Sequence, residues 1–161
     1  MVKHTHVTIM ADNLQFFSPE QPFMERKVVS TSEKGRKYVL ALKPPHGCAV
    51  YQIDNYIITT GERCDKLVLV EYDAINNQWA EIFVELKGVD VRHAIEQLRS
   101  SINHPIFRHP TVHKRYARLV AQSIPRNTGN SVVERARDEF RKEYAVELKC
   151  WSSSNKVDSI G

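Results

Sequence analysis

Three charged residues near the middle of the chain have types and a spacing that could do chemistry together. Asp65 begins the segment DKLVLV, and Glu85 and Lys87 end the segment WAEIFVELK. Two neighbouring carboxylates bind Mg²⁺ or Mn²⁺ through oxygen, and the backbone carbonyl of Leu86 is a further oxygen ligand. A bound metal ion lowers the pKa of a water molecule, and an adjacent lysine orients that water or stabilises developing negative charge. The pattern indicates metal-assisted hydrolysis of a phosphodiester, provided that the fold brings these side chains together.

The two segments that carry these residues are expected to pair as an antiparallel hairpin. With Asp73 opposite Trp79 across a five-residue loop, odd-numbered residues face odd-numbered residues. Asp65 then lies opposite Lys87 and diagonal to Glu85, on one face at one end of the sheet. A slip of one residue would separate the charges, so the expectation depends on the loop. The alternative is that three charged residues decorate a solvated strand end.

The tetrapeptide VELK occurs twice, at residues 84–87 and again at residues 146–149. The second copy, with Glu147 and Lys149, follows a predicted helix instead of a strand that begins with an aspartate. A polar tail comes after it, so no helix is available to wall a site. We therefore predict an ordinary strand rim there.

Local patterns predict the elements that must position these residues. A short helix is expected over SPEQPFMERKVVS, and longer helices over VDVRHAIEQLRSSINHP, with Asp90 as N-cap, and NSVVERARDEFRKEY, with the capping box Ser131-x-x-Glu134. Alternating or β-branched residues predict strands at KYVLALK (ended by Pro44 and Pro45), CAVYQIDNYIIT, DKLVLVEYD, WAEIFVELK, YARLVAQSI and AVELKCW.

This order of elements predicts a single α/β domain over residues 1–161, in which an antiparallel meander leads into a β-α-β crossover. Its core spans about residues 48–124, with residues 1–47 poorly assigned and a C-terminal helix and strand over 130–151. The composition, 42% hydrophobic and 26% charged, is that of a globular protein. Three cysteines without CxxC spacing argue against a disulfide framework or a zinc cluster. No apolar stretch resembles a signal peptide or a membrane span, which leads us to expect a cytoplasmic protein without a membrane partner.

A basic stretch runs from Asn103 to Arg126 without any acidic residue. Lysine and arginine neutralise phosphates and release counterions, so this stretch is the natural candidate for contacting a nucleic-acid backbone. The alternative is a solvated basic loop. The candidate contact residues are Arg108, Lys114, Arg115, Arg118 and Arg126.

The run RCDKLVLV, a spacer, WAEIFVELKG and an amphipathic helix resembles the PD-(D/E)xK phosphodiesterase superfamily, which includes restriction endonucleases and Holliday-junction resolvases. In that family the aspartate opens the second core strand, the glutamate and lysine end the third, and a helix follows. The resemblance covers about residues 48–124 and places the family's positions at Asp65, Glu85 and Lys87. It implies a restriction-endonuclease-like fold, with Mg²⁺ or Mn²⁺ held by the two carboxylates and the Leu86 carbonyl.

The chain departs from the family pattern at two points. Cys64 replaces the proline that gives the motif its name. The family's further acid, usually on a helix before the first strand, is not fixed by the sequence; Glu25 is preferred because it lies in the predicted early helix, and Glu33 and Glu20 remain open. Gln97 lies where some relatives place a glutamine of the site, although a solvated helix face explains it equally well.

The resemblance and the basic stretch together imply a Mg²⁺-dependent endonuclease that acts on DNA, working as a homodimer because two sites can cut two strands. The alternative is a non-catalytic nucleic-acid-binding or protein-assembly module on the same fold. That alternative predicts that the side chains of Asp65, Glu85 and Lys87 do not converge.

Overall fold

A computed structural model describes residue 14 and residues 16–124, 131–152 and 155–161. The strands in these residues are β1 (Gln21–Glu33), β2 (Arg36–Gln52), β3 (Lys66–Asp73), β4 (Gln78–Lys87), β5 (Val112–Ala121), β6 (Val146–Trp151) and β7 (Val157–Ser159). The helices are α1 (Val91–Ile102) and α2 (Val132–Glu139), with a 3-10 turn at Pro105–Phe107 and a π-helical turn at Phe140–Tyr144. No helix in these ranges is both long and apolar enough to cross a membrane.

The strands form one mixed sheet in the order β1-β2-β3-β4-β5-β6, and β7 pairs with β2. Strands β1 to β4 are antiparallel to their neighbours, whereas β4, β5 and β6 are parallel. The parallel pairs require crossovers, and α1 and α2 supply them. The predicted meander followed by a β-α-β unit is therefore present, within a mixed α/β fold.

Both faces of the central strands are buried, as the apolar run of β3 predicts. Strands β3 and β4 alternate their side chains, so that Leu67 and Phe83 face the apolar stripes of α1 and α2 while Val68 and Ile82 face the other way. On that second side they pack against a hairpin arm, residues 28–41, in which the second half of β1 pairs with the first half of β2. Helices, sheet and arm thus form three layers.

The hairpin arm corrects the prediction for the N-terminal part of the chain. The predicted helix over SPEQPFMERKVVS is wrong, because β1 covers most of it. Its partner β2 does not end at Pro44 but continues through a register irregularity to Gln52. Lys34 and Gly35 connect the two strands with positive φ angles of 52° and 75°, the geometry of a two-residue hairpin turn that glycine favours.

The helix caps predicted from the sequence are confirmed. The Asp90 side chain accepts a hydrogen bond from the His93 amide at 3.0 Å, and Ser131 accepts one from the Glu134 amide at 3.1 Å. Each cap satisfies an amide that the first helical turn leaves without a partner. The cap at Asp90 also fixes where α1 begins, at Val91, only four residues after Lys87.

Candidate functional site

Asp65 and Glu85 lie across from each other at one end of the sheet. Lys66 pairs with Val84 in the β3–β4 register, and the Asp65 amide donates to the Val84 carbonyl at 3.2 Å. The next opposed pair is therefore Asp65 and Glu85, and such pairs have Cβ atoms about 4.5–5.5 Å apart. Both residues are buried, with 4% and 2% of their surface exposed.

The register differs by two residues from the one that the sequence suggested. Asp73 pairs with Gln78, and a bulge then shifts the ladder by one more residue. Asp65 is consequently opposite Glu85 and not opposite Lys87. Because the error is an even number of residues, the three predicted side chains remain on the same face. The prediction of a shared face is thus confirmed, although the predicted pairing is wrong.

Backbone hydrogen bonds fix the position of Asp65. Its carbonyl accepts from the Ile53 amide at 2.9 Å, and its side-chain Oδ2 accepts from the Leu86 amide at 2.9 Å. The amide and carbonyl of a strand residue point toward the same neighbour, so the Leu86 carbonyl lies on the Asp65 side of β4. This geometry agrees with the expectation that Leu86 contributes a backbone oxygen.

Burial and mutual repulsion make this carboxylate pair hard to ionise. Burial raises the pKa of Glu85 to about 9, the Asp65 charge adds to the rise, and Lys87 and Lys34 oppose it. Burial also raises the pKa of Asp65, against the lowering effect of the Leu86 amide. Near neutral pH Glu85 therefore keeps its proton in the folded protein.

Lys87 and Gln97 meet beside the carboxylates. The Lys87 Nζ donates to Gln97 Oε1 at 3.2 Å, joining the end of β4 to the second turn of α1. A lysine held in this way presents its remaining N–H groups from a defined position. The structure therefore brings the predicted Gln97 to the predicted Lys87.

The acids near the N-terminus are placed differently from the sequence expectation. Glu25 pairs with Gly47 in the β1–β2 ladder, and Gly47 in turn pairs with Glu71, so Glu25 lies six residues along β3 from Asp65. A separation of six strand residues is about 20 Å, which removes Glu25 from the site. The predicted helix that was to carry Glu25 does not form.

Glu33 and Glu20, the two acids left open, both bind Lys66. The Lys66 Nζ lies 2.5 Å from Glu20 Oε1 and 3.2 Å from Glu33 Oε2. After burial and the Leu86 amide, the Glu33 charge also acts on the pKa of Asp65. Glu33 is thus close to the site, but its carboxylate forms an ion pair with Lys66.

The turn of the hairpin arm brings Lys34 close to the carboxylate pair, and the sequence analysis did not predict this residue. The Lys34 charge lowers the pKa of both Asp65 and Glu85 against the larger effect of burial, so it lies near the pair. Lys34 belongs to the two-residue turn between β1 and β2. The sequence did contain a signal, since a glycine in EKGR separates two alternating segments, as in many hairpins.

The donor set fits a hard divalent cation with few protein ligands. Glu85 Oε1 is buried without a hydrogen-bond partner, a costly state that a cation would relieve. Within the described ranges, no group of three or more His, Cys, Asp or Glu side chains is arranged to hold a metal ion. Two carboxylates and one carbonyl would leave the other positions to water, as Mg²⁺ sites commonly do.

The second VELK copy forms the predicted strand rim in β6. Glu147 is 55% exposed and binds Arg118 at 2.8 Å, with Lys149 at 3.7 Å. Opposite it lies Tyr116 of β5 and not a carboxylate. At this position Glu147 and Lys149 therefore lie at the surface, while Val146 and Leu148 are buried in the core.

The predicted nucleic-acid contacts do not form one surface. Arg118 is fully buried, with its Nε 2.6 Å from Asp158 and its Nη2 2.8 Å from Glu147. It is not available to a phosphate, because its guanidinium is enclosed and paired inside the protein. Tyr38 also donates to Asp158 at 2.6 Å, which makes this group a buried clamp between β2, β5 and β7.

The other candidates are divided between the two faces of the sheet. Arg108 and Lys114 are exposed, and the Lys114 Nζ lies 4.4 Å from the centre of the Tyr72 ring. Arg115 is half-buried on the opposite face of β5 from Lys114 and contacts Glu81 at 3.0 Å. Arg126 lies outside the described residues.

The basic residues of β5 are separated from the carboxylates along the sheet. In the parallel β4–β5 ladder, Lys114 pairs with Ala80 and Arg115 pairs with Glu81. Glu81 is four residues along β4 from Glu85, which corresponds to roughly 13 Å. The basic stretch follows α1 directly in the sequence, but its exposed residues do not lie beside the carboxylates.

No protein-family model, curated protein or solved structure matches this chain.

Proposed function

We propose that this protein is a metal-dependent nuclease that hydrolyses phosphodiester bonds in DNA. The observation that carries the proposal is the pair of buried, opposed carboxylates of Asp65 and Glu85 beside the bonded Lys87 and Gln97. The order of antiparallel meander, helix and parallel strand supports a restriction-endonuclease-like core of the PD-(D/E)xK type.

Each residue of the site has a distinct proposed role. Asp65, Glu85 and the carbonyl of Leu86 hold Mg²⁺ or Mn²⁺, which supplies Lewis acidity and an activated water when bound. Lys87 orients the nucleophile and counters the charge that develops on the phosphate oxygens. Gln97 fixes the Lys87 ammonium through the hydrogen bond described above.

Metal binding should release a proton, and this gives a test that does not depend on activity. Glu85 keeps its proton near pH 8 because its pKa is raised to about 9. A divalent cation requires the ionised carboxylate, so binding should release about one proton per ion. Titration calorimetry with Mn²⁺ in buffers of different ionisation enthalpy measures this number. In Glu85→Gln we expect neither the proton nor binding at the parent's affinity.

Cleavage is tested with a pair of matched variants in the two VELK copies. Lys87→Ala should reduce cleavage in Mg²⁺ or Mn²⁺ by about 100-fold or more, because removing one group that stabilises transition-state charge costs this much. Lys149→Ala makes the same change in the other copy, where the side chain is 45% exposed, and should leave the rate unchanged. Equal rates for the parent, Lys87→Ala and Asp65→Asn would show that the proposed site is wrong.

The form of the substrate is addressed by comparing linear, branched and single-stranded DNA with metal titration. We expect one form to be cut preferentially and its cleavage to depend on Asp65. Binding of DNA without cleavage of any form would instead favour the non-catalytic module. The oligomeric state, measured by sedimentation, tests the expectation of a homodimer.

A further inference from the structure

A polar pocket lies toward the opposite end of the sheet from the carboxylate pair. It encloses about 440 Å³ between the 3-10 turn, the start of β5 and the π-helical turn. Its lining residues are Asn103, Phe107, Arg108, His109, Val112, Arg115, Glu143 and Tyr144. This volume is larger than an inorganic phosphate needs and falls within the range of small-molecule sites.

Arg115 is held rigidly at the pocket wall. Its Nε donates to Glu81 Oε1 at 3.0 Å, and its Nη2 donates to the Ile102 carbonyl at 2.7 Å. The guanidinium also lies 5.4 Å from the centre of the Phe83 ring. Such a side chain has already lost its rotamer freedom, so a ligand does not have to order it.

Part of the Arg115 guanidinium remains open to the pocket. The side chain is 21% exposed, and in the part of the chain that the structure describes its Nη1 has no acceptor. An open, pre-oriented guanidinium is a donor suited to phosphate or carboxylate oxygens.

The pocket's lining includes a second guanidinium beside that of Arg115. Arg108 and the His109 imidazole line the same space, so the ligand meets two guanidinium groups and a further ring donor or acceptor. A carboxylate can satisfy one guanidinium, whereas a phosphate monoester has oxygens for both. The Phe107 and Tyr144 rings add aromatic wall beyond the cationic groups.

We propose that this pocket binds the phosphate monoester of a nucleotide, either free or at the end of a nucleic-acid strand. Arg115 and Arg108 bind the phosphate, and the aromatic side of the pocket accommodates part of the nucleoside. The proposal does not depend on metal at Asp65 and Glu85, because the two places are at opposite ends of the β4–β5 pair. Glu143, an acid at the rim, weakens anion binding.

Titration calorimetry with adenosine 5′-monophosphate, adenosine and inorganic phosphate tests the pocket, in EDTA and at fixed salt. We expect the monophosphate to bind at least about tenfold more tightly than adenosine, since charge-assisted hydrogen bonds supply the difference. Equal binding of these two ligands, or no binding of the monophosphate at millimolar concentration, would overturn the proposal.

Two variants should change the affinity for the monophosphate in opposite directions, which a purely structural role of these residues would not produce. Arg108→Ala should weaken the monophosphate about tenfold. Glu143→Gln should strengthen it about threefold, because a like charge leaves the rim. Arg135→Ala removes an exposed arginine from α2 that does not line the pocket, and should leave the affinity unchanged. Equal affinities for Arg108→Ala and Arg135→Ala would exclude the assigned role.

The source of the phosphate is separated by fluorescence anisotropy with a labelled oligonucleotide that carries a 5′-phosphate or a 5′-hydroxyl. Tighter binding of the phosphorylated strand, lost in Arg108→Ala and displaced by the monophosphate, assigns the pocket to strand ends. Binding of the free monophosphate alone assigns it to nucleotides. Failure of both the nucleotide and the oligonucleotide experiments would leave the proton release by Mn²⁺ at Glu85 unaffected. The pocket proposal and the metal-site proposal can therefore fail independently.

Discussion

Replacing Glu85 by glutamine should change how stability depends on pH. The folded-state pKa of Glu85 is raised from 4.5 to about 9, mainly by burial and then by the Asp65 charge. Between these values the folded protein holds a proton that the unfolded chain has released, so stability falls as the pH rises. Below pH 4.5 both states are protonated and the contribution is complete. Above about pH 9 it is lost.

The magnitude follows from the width of the pH window. Glu81, whose pKa burial raises to about 7, also titrates near the start of this window, but it is present in the parent and in every variant, so its contribution cancels when their slopes are compared. From pH 7 to pH 9, a group with a folded pKa near 9 should cost about 2 kcal/mol of unfolding free energy. Glu85→Gln has no such proton to lose. Its free energy of unfolding should therefore fall by about 2 kcal/mol less than that of the parent between pH 7 and pH 9.

Urea unfolding at pH 7, 8 and 9 in EDTA measures the effect. Glu147→Gln is the matched control, since this glutamate of the other VELK copy is 55% exposed and lies outside the buried carboxylate pair. The parent and the control should share one slope, and Glu85→Gln should show a smaller one. Parallel slopes for the parent and Glu85→Gln would refute the reasoning that burial and Asp65 hold this proton in place.

Three further predictions concern the framework around the site, each measured by urea unfolding. Asp158→Ala should destabilise the protein by about 3–5 kcal/mol because it removes the buried partner of Arg118 and leaves only the exposed Glu147, whereas Glu147→Ala should cost about 1 kcal/mol or less. Equal effects would contradict the buried clamp. Asp90→Ala should cost about 1 kcal/mol through the lost cap of α1, with unchanged stability as the opposing result. Gly47→Ala should cost about 1–3 kcal/mol, since the added methyl group meets an aromatic ring of β1, and a stabilised variant would show that the ring moves freely aside.

The parts of the fold that the sequence predicted correctly are those with local signals. These signals depend on residues that are close together in the sequence. They are the apolar run of β3, the alternation of β4 and the caps at Asp90 and Ser131. The candidate site benefited from this, because its face was set by the parity of β3 and β4. Its exact pairing depended on a bulge near Tyr72, which no local pattern announced.

The errors involve partners that are distant in the sequence. Strand β1 contains residues that suit a helix, and only pairing with β2 makes it a strand, so propensity was overridden by tertiary context. Arg118 looked like a surface cation within a basic stretch, yet its partner Asp158 is 40 residues away. The pairing of Glu81 with Arg115 was missed for the same reason, although the two residues face each other in the parallel ladder.

The clamp also has a consequence for how the protein is made. Arg118 is translated 40 residues before Asp158, and without Asp158 the buried guanidinium has only the exposed Glu147 as its charged partner, which carries a large penalty. While Asp158 is still inside the exit tunnel of the ribosome, burial of β5 is therefore unfavourable. Completion of the sheet is coupled to the arrival of β7, so the nascent chain should remain protease-sensitive around β5 until β7 has emerged.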